Sequence, residues 1–391
     1  MKRRWSVTRL LRKGGMLLAA LASACLIAGC WDEVNLQDVS YVSAIGIDYK
    51  DGKFNLYGQL IKFAQVAKNE SPEQKPSPVW IGKGTGDTAL LALHDMTRGG
   101  QASINIEQLK TIVVHERALG RLDEALDGLN RQRAARYTTW LFGTKDPIED
   151  IFNSETFFDQ SPINSILYTP LPHEAQYTFI RPREMQLAVQ TLKEPAMTTK
   201  LPVLKLSEAY WKQGKKPMKI QIVSGVFVFK ELKYKGYFPE DSIKGLRWTD
   251  PDFKHFMVEA AGDRGKATVG VKSSRDKLRV VFEGGRPKFA MTVRLKGDVA
   301  ELDGNIGKAE IAASIERQVK EQIEDAYATG LARELDLLDL EHHLYRYHHS
   351  KWKRLAASGE WLPRADQLTV DVKFELTHSG KFDLTTGQLE E

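Results

Sequence analysis

The chain has 391 residues, of which 42% are hydrophobic and 27% are charged. This length suggests two or three domains with sizeable hydrophobic cores. The formal net charge of +5 comes from the first 29 residues, which carry six basic residues and no acidic one. The remaining chain has 50 Lys and Arg against 51 Asp and Glu, and this balance argues against a nucleic-acid partner.

The N-terminus has the organisation of a lipoprotein signal peptide, which we assign to 1–29. A basic leader precedes an apolar run at 16–27, which is shorter than the ~20 residues that a membrane-spanning helix needs. The run ends in Ile27-Ala28-Gly29-Cys30, which resembles a lipobox. We expect cleavage between Gly29 and Cys30, and both S-diacylglyceryl and N-acyl modification of Cys30. An ordinary secretory signal with a chance cysteine is the alternative.

The expected lipids define the location and the cysteine chemistry of the mature chain. Two acyl chains hold a protein stably on a membrane, whereas one chain does not. We therefore expect Cys30 to anchor the chain to the extracytoplasmic face of the cell membrane. Cys25, the second cysteine of the chain, would leave with the signal peptide. The mature chain would then have neither a disulfide nor a free thiol for catalysis or redox chemistry.

A β-hairpin is predicted near the start of the mature chain. Residues 41–48 and 54–63 are rich in β-branched and aromatic residues, and Asp51-Gly52 between them is a hairpin turn signal. The polar, proline-rich segment 69–78 is predicted to be a loop.

The glycine-rich segment 82–88 resembles a phosphate-binding loop but lacks the spacing that such loops need. We expect instead that Thr85 or Asp87 caps a helix that begins near residue 89. Further elements are predicted in chain order: strand 109–114, helix 122–129, strand 137–142, helix 146–152 and helix 184–193.

A basic cluster follows the helix at 122–129. Arg131, Arg133 and Arg136 are the candidate partner-binding residues, through anionic lipid headgroups or a loop of another protein. A solvated surface without a partner is the alternative.

The second half of the chain contains the longest helical and strand patterns. The proline-containing segment 194–221 is predicted to lead into a second domain, and Lys235-Gly236 to form the turn after strand 222–229. The remaining predicted elements are strands 267–273, 278–283 and 289–299 with turns at Asp276 and Gly284-Gly285, helix 308–330 with Gly330 as its C-cap, helix 336–347 and strand 368–376.

Runs of strands and helices without regular βαβ alternation predict an α+β fold with mixed or antiparallel sheets and flanking helices. We expect three consecutive domains after the signal peptide. Their predicted ranges are 30–195, a small middle domain at 196–265 and a C-terminal domain at 266–391 that contains the long helix.

No catalytic or metal site is predicted. The pairs His342-His343 and His348-His349 lack the i, i+4 spacing of helical zinc sites, and a polar helix end explains them more simply. No G-x-S-x-G motif indicates a nucleophile-elbow hydrolase. We expect no cofactor apart from the covalent lipid. The dispersed tryptophans, Trp211 and Trp248 among them, are expected in cores or at domain edges.

Four stretches, in order and spacing, resemble the Ger(x)C family, the lipoprotein subunit of spore germinant receptors. They are GCWDE at 29–33 with VSAIGID at 42–48, LKTIVVHERAL at 109–119, GVFVFK at 225–230 with GLRW at 245–248, and the segment from 286 through the long helix to 352, which keeps Arg346, Tyr347 and Trp352.

The resemblance implies three α+β domains outside the membrane, with the middle and C-terminal domains forming the family's C-terminal region. It implies a large A subunit and a multi-pass B subunit as partners, a role in germinant sensing or receptor assembly, and no enzymatic activity. It also implies the spore inner membrane as the location. A solute-binding lipoprotein of a membrane transporter is the alternative, because such proteins share the lipobox and a similar length.

Overall fold

The computed structural model describes residues 39–60, 79–130, 138–359 and 361–378. The strands are β1 (Val39–Lys50), β2 (Lys53–Leu60), β3 (Trp80–Gly86), β4 (Ser103–Asn105), β5 (Thr111–His115), β6 (Trp140–Thr144), β7 (Arg183–Glu184), β8 (Thr198–Ser207), β9 (Lys212–Gln213), β10 (Lys216–Pro217), β11 (Ile220–Lys230), β12 (Lys233–Pro239), β13 (Phe256–Ala261), β14 (Gly265–Glu283), β15 (Arg286–Gly304) and β16 (Leu368–His378). The helices are α1 (Ala89–Thr97), α2 (Leu122–Asn130), α3 (Ile148–Phe152), α4 (Pro170–Gln176), α5 (Met185–Lys193), α6 (Lys308–Leu331), α7 (Leu340–Tyr347) and α8 (His349–Leu355).

The first sheet of the described residues is mixed. Its order is β12-β11-β8-β6-β5-β1-β2-β3, with the short β4 and β7 pairing with β1 and β6. The neighbours β1, β5, β6 and β8 run parallel, whereas β2, β3, β11 and β12 join antiparallel. Together with the helices, this sheet confirms the predicted α+β class.

Helices and loops cover both faces of the first sheet, which explains why 42–48 is buried without interruption. One core lies between Ile45 of β1 and α1, α2 and α5. The other lies between Ala44 of β1 and α3. A Cβ atom at Gly46 would be 2.2 Å from Cγ2 of Ile148, so α3 packs directly against the backbone of β1.

The glycine-rich segment 82–88 contains most of β3 and the residues that lead to α1. The cap of α1 is Thr88, whose Oγ1 accepts a hydrogen bond from the N–H of Leu91 at 3.2 Å, so the prediction of Thr85 or Asp87 was wrong. A Cβ atom at Gly84 would be 2.1 Å from the carbonyl oxygen of Ala92. This glycine therefore allows a helix to pack closely on a strand.

The segment 194–221, which is predicted to lead into a second domain, contains β8, which lies inside the first sheet between β6 and β11. One of the prolines of this segment, Pro202, pairs with Val226 of β11. It precedes the two residues, Val203 and Leu204, at which β8 pairs with β6. The first sheet thus continues past residue 195, while the division of the chain into three domains stays a prediction.

The β11–β12 hairpin turns at Glu231-Leu232, where both residues have positive φ angles of 49° and 64°. The prediction of a turn at Lys235-Gly236 was wrong. Gly236 instead lies inside β12 beside a register shift opposite Val228 and Phe229, where its φ of 137° suits glycine.

The second large sheet has the order β13-β14-β15-β16. The predicted turn at Gly284-Gly285 is confirmed by positive φ angles of 56° and 81°. The predicted turn at Asp276 was wrong, because Asp276 pairs with Val293 inside the continuous strand β14. The final strand is confirmed as β16, which runs parallel to β15.

The long helix predicted at 308–330 is confirmed as α6. Its apolar stripe, Ile311, Ile315, Val319 and Ile323, is buried against the second sheet. The predicted C-cap was wrong, because α6 continues through Leu331 and its cap is Ala332. The next helix, α7, begins at Leu340 rather than at 336.

Candidate functional site

The predicted site residues Gly29 and Cys30, and the basic cluster Arg131, Arg133 and Arg136, lie outside the described residues. The lipidation and partner-binding assignments therefore stay predictions. Over the described ranges, no helix combines the length and the apolar character needed to cross a bilayer.

The histidine pairs near α7 contact aromatic and acidic side chains. His342 Nε2 is 3.3 Å from Glu194 Oε1, and the ring centroid of His348 is 5.5 Å from that of Phe282. Among the residues that the structure describes, no group of three or more His, Cys, Asp or Glu could hold a metal ion.

The first two stretches of the family resemblance meet at Asp48, near the end of β1. Arg117 donates from Nε to Oδ1 of Asp48 at 2.9 Å and from Nη2 to Oδ2 at 2.6 Å, a strong bidentate geometry. Nδ1 of His115 accepts a hydrogen bond from the Arg117 N–H. Burial lowers the pKa of His115 and outweighs the opposing effect of Asp48. This cluster ties β1 to the segment after β5.

The third and fourth stretches meet in a buried pair between Lys230 of β11 and Glu341 of α7. Glu341 Oε1 also accepts a hydrogen bond from Trp352 Nε1 at 3.1 Å. Nearby, Lys200 of β8 donates to Asp339 Oδ2 at 2.6 Å. These charged groups connect the first sheet to the C-terminal helices.

Asp336 lies next to these pairs and is buried. Its carboxylate accepts hydrogen bonds from the N–H groups of Leu338 and Glu341 at 3.2 and 2.7 Å. Burial, with the nearby carboxylate of Asp339, raises the pKa of Asp336 to about 7. The side chain therefore changes charge near neutral pH.

The GLRW stretch packs against α6. A Cβ atom at Gly245 would be 2.2 Å from the carbonyl oxygen of Gln322, and Trp248 Nε1 donates to Gln322 Oε1 at 2.8 Å. The guanidinium of Arg247, only 1% exposed, lies 3.7 Å from the ring centroid of Phe256. Its Nη2 donates to Glu240 Oε1 at 2.8 Å.

A cleft of about 1000 Å³ opens beside Arg247. Its walls come from the segment around 154–166, from α4, from the start of β11 and from the end of β12. This volume is at the upper end of the range for ligand pockets, ~300–1000 Å³. It can hold a small molecule or a short peptide segment.

The wall of this cleft contains buried polar atoms without a hydrogen-bond partner among the described residues. They are Ser165 Oγ, Glu174 Oε1 and Arg247 Nη1. Burial raises the pKa of Glu174. Burial and a hydrogen bond to Glu240 raise the pKa of Tyr177 to about 12. Unsatisfied buried groups beside a cleft are typical of sites that bind a ligand or water.

Exposed aromatic side chains lie at the mouth of the cleft. Tyr210 and Trp211 are 66% and 54% exposed, and the ring of Trp211 packs edge-to-face on Phe157 with centroids 4.9 Å apart. The expectation that tryptophans lie in cores or at domain edges is confirmed for the buried Trp248, whereas Trp211 is exposed at the mouth of the cleft. The polar sequence around Trp211 is the signal that could have placed it at the surface.

Comparison with known proteins covers both halves of the chain. Residues 32–206 match the family model described as spore germination protein N-terminal domain. Residues 224–380 match the model described as spore germination B3/GerAC like, C-terminal. The chain belongs to the Ger(x)C family. Its membership supports a role in spore germination.

Two curated relatives and one solved structure are similar to this chain over most of their own length. Spore germination protein KC of Bacillus subtilis (strain 168) is 25% identical, over 94% of this chain and 95% of the relative. Spore germination protein B3 of the same organism is 19% identical, over 90% and 95%. The crystal structure of the GerBC protein has a TM-score of 0.54 and 16% identity, over 85% of this chain and 96% of that chain. This likeness supports the same overall fold.

Proposed function

We propose that the chain is a membrane-anchored lipoprotein subunit of a spore germinant receptor and acts by assembly with membrane-embedded A and B subunits. The observation that carries the proposal is the family match over both halves of the chain. The lipobox-like sequence before Cys30 supports an anchor on the extracytoplasmic face of the spore inner membrane.

The anchor has a direct role in the proposed assembly. A lipid on Cys30 restricts the chain to the same membrane as its partners, and this restriction raises their effective concentration. Weak contacts between folded surfaces are then sufficient for a stable receptor. The charged clusters at Asp48, Lys230 and Asp336 connect elements of the fold. In the proposed receptor their role is structural rather than catalytic.

The experiment replaces Cys30 with Ala and compares this strain with one that carries Cys25→Ala. Both changes remove a thiol, but Cys25 lies in the segment that is removed with the signal peptide. We expect Cys30→Ala to release the chain from spore membranes and to reduce nutrient-triggered germination. Cys25→Ala should leave both properties unchanged. Membrane fractionation and the optical density of germinating spores measure the two effects.

Two results would contradict the proposal. Full retention of the Cys30→Ala chain in the membrane would show that the lipid is not its main anchor. Purification of the wild-type chain from spore membranes without the A and B subunits would contradict the assembly.

A further inference from the structure

Residues 208–217 form an exposed segment around the small β9–β10 hairpin. The segment carries Tyr210 and Trp211 and ends before the buried residue Met218, whose N–H donates to the carbonyl oxygen of Trp211 at 2.8 Å. This hydrogen bond holds the aromatic residues at the edge of the cleft. Their exposure therefore belongs to an ordered part of the fold.

A second aromatic pair lies beside the hairpin. Phe158 is 90% exposed and has a φ of 56°, in the left-handed region that bulky residues rarely adopt. Its ring centroid is 6.3 Å from that of Phe157, which packs on Trp211. A strained backbone that presents a large apolar ring to solvent is typical of a functional surface. We call Phe157, Phe158, Tyr210 and Trp211 the aromatic mouth.

Lysines outnumber acidic residues on the hairpin beside the aromatic mouth, because segment 208–217 carries three lysines against Glu208 alone. The wall of the cleft behind it also carries carboxylates, such as Glu174 and Glu240. Lys205 lines the cleft, and Lys212 and Lys215 are exposed on the hairpin. None of these three lysines has an ion pair among the described residues, whereas Lys216 pairs with Glu155 at 2.5 Å. Unpaired lysines beside aromatic rings favour a partner that is acidic and partly apolar.

The shape and the polar wall favour a peptide over a lipid surface. Trp211, Tyr210 and Phe157 line a concave cleft, which a chain segment can enter and a bilayer surface cannot. Peptide groups supply both donors and acceptors, and these match the unpartnered atoms of Arg247 and Glu174.

We propose that the aromatic mouth and its lysines bind an acidic peptide segment with apolar side chains, contributed by a membrane-embedded partner subunit. This inference rests on the proposed receptor assembly and names the surface that would carry it. The acidic groups of the segment would pair with Lys212 and Lys215, and an apolar side chain would pack between Trp211 and Phe157. Aromatic side chains in a pocket are typical centres of binding energy.

The test places a photo-reactive amino acid at Tyr210 in the full chain in spores. The control places it at Trp80, which is 65% exposed on β3, an edge strand of the first sheet that does not line the cleft. We expect irradiation to link position 210 to the A or B subunit with a yield at least about tenfold above that from position 80. Immunoblots against each subunit measure the yield.

A charge-reversal variant tests the role of the lysines. Lys212→Glu with Lys215→Glu should lower the yield from position 210 by about tenfold. The control variant Lys277→Glu with Lys308→Glu reverses two exposed lysines of the C-terminal region and should leave the yield unchanged. The chain level in spore membranes verifies that both variants fold and are retained.

The outcomes separate this inference from the proposed function. If the chain co-purifies with the subunits but position 210 links to neither, the inference is wrong and the assembly stands. Links from position 210 to lipid alone would identify a membrane-facing surface instead and overturn the peptide site. If the chain does not co-purify with the A and B subunits, the proposed function itself fails.

Discussion

The two large sheets of the molecule bury their strands in different ways. The first sheet has a core on each face, and the central part of β1 is buried at every position. The second sheet packs on α6 with one face, so buried and exposed residues alternate along β15 and β16. Two-sided burial requires close contacts on both faces, whereas one-sided burial leaves side chains on the other face free to move.

The largest expected effect concerns the connection between these two regions. Replacement of Lys230 by Met should destabilise the protein by about 3–5 kcal/mol, because it leaves Glu341 buried without its ionic partner. Urea denaturation with tryptophan fluorescence measures the free energy of unfolding. We also expect the variant to show separate transitions for the two regions, since the pair connects β11 to α7.

The control is Lys266→Met, which removes an exposed pair with Glu259 on the second sheet. Exposed pairs contribute about 0–1 kcal/mol, so this variant should unfold nearly as the wild type does. Equal losses in the free energy of unfolding for the two variants would show that the buried pair has no special role in joining the regions.

The second effect compares close packing in the two sheets. Replacement of Gly84 by Ala should cost about 3 kcal/mol, because the new Cβ atom would meet the backbone of α1 on the first sheet. Replacement of Gly270 by Ala in β14 should cost less than about 1 kcal/mol. The nearest atoms there belong to the side chains of His255 and Met257, at 3.2 and 3.5 Å, and these side chains can move aside.

Thermal unfolding monitored by circular dichroism measures both glycine variants. A larger loss at Gly270 than at Gly84 would contradict the proposed difference between the sheets, because it would place the tighter packing in the sheet with one covered face.

The third effect is a pH dependence of the stability, which arises from Asp336 at the boundary between the two regions. The pKa of Asp336 is about 7 in the folded state and near 4 in an unfolded chain. The folded state therefore binds more protons than the unfolded state between about pH 4 and 7. This carboxyl group lowers the stability as the pH rises through that window, by about 2 kcal/mol between pH 5 and 8.

Replacement of Asp336 by Asn should flatten the pH dependence, since the amide does not titrate. The matched change Asp371→Asn, on the exposed face of β16, should leave it unchanged. Melting temperatures at pH 5, 6, 7 and 8 provide the comparison. A wild-type protein whose melting temperature rises steadily over this range, with no change in slope for Asp336→Asn, would contradict the assignment.

The difference between the sheets also explains what the sequence could predict. One-sided burial produces the periodicity that identified α6 and β16 within one or two residues. The first sheet carries no such alternation in its centre, and β8 contains a proline, Pro202, which strand patterns usually exclude. The turn expected at Asp276 follows from local propensity, which pairing with β15 overrides. At both β8 and Asp276, contacts between strands that are distant in the sequence determine the local structure.

The candidate site was less predictable than the fold. The cleft combines segments from residue 154 to residue 322, and no local motif connects them. The resemblance stretches behave differently: Asp48 meets Arg117, and Lys230 meets Glu341. These stretches are therefore explained by contacts that assemble the fold. A single sequence shows the stretches as motifs, but it does not show which residues each motif contacts.

The smallest expected loss of stability concerns the N-cap of α1, next to the edge strand β3 of the first sheet. Replacement of Thr88 by Ala should cost about 1 kcal/mol, because its Oγ1 caps the N-terminus of α1. Replacement of Thr85 by Ala removes only an exposed hydrogen bond to Asn55 and should cost less than about 0.5 kcal/mol. Both residues are threonines within four positions, so the unfolded chains are closely matched. A greater loss at Thr85 would mean that α1 begins earlier than Ala89, and the close approach of Gly84 to this helix would then need another explanation.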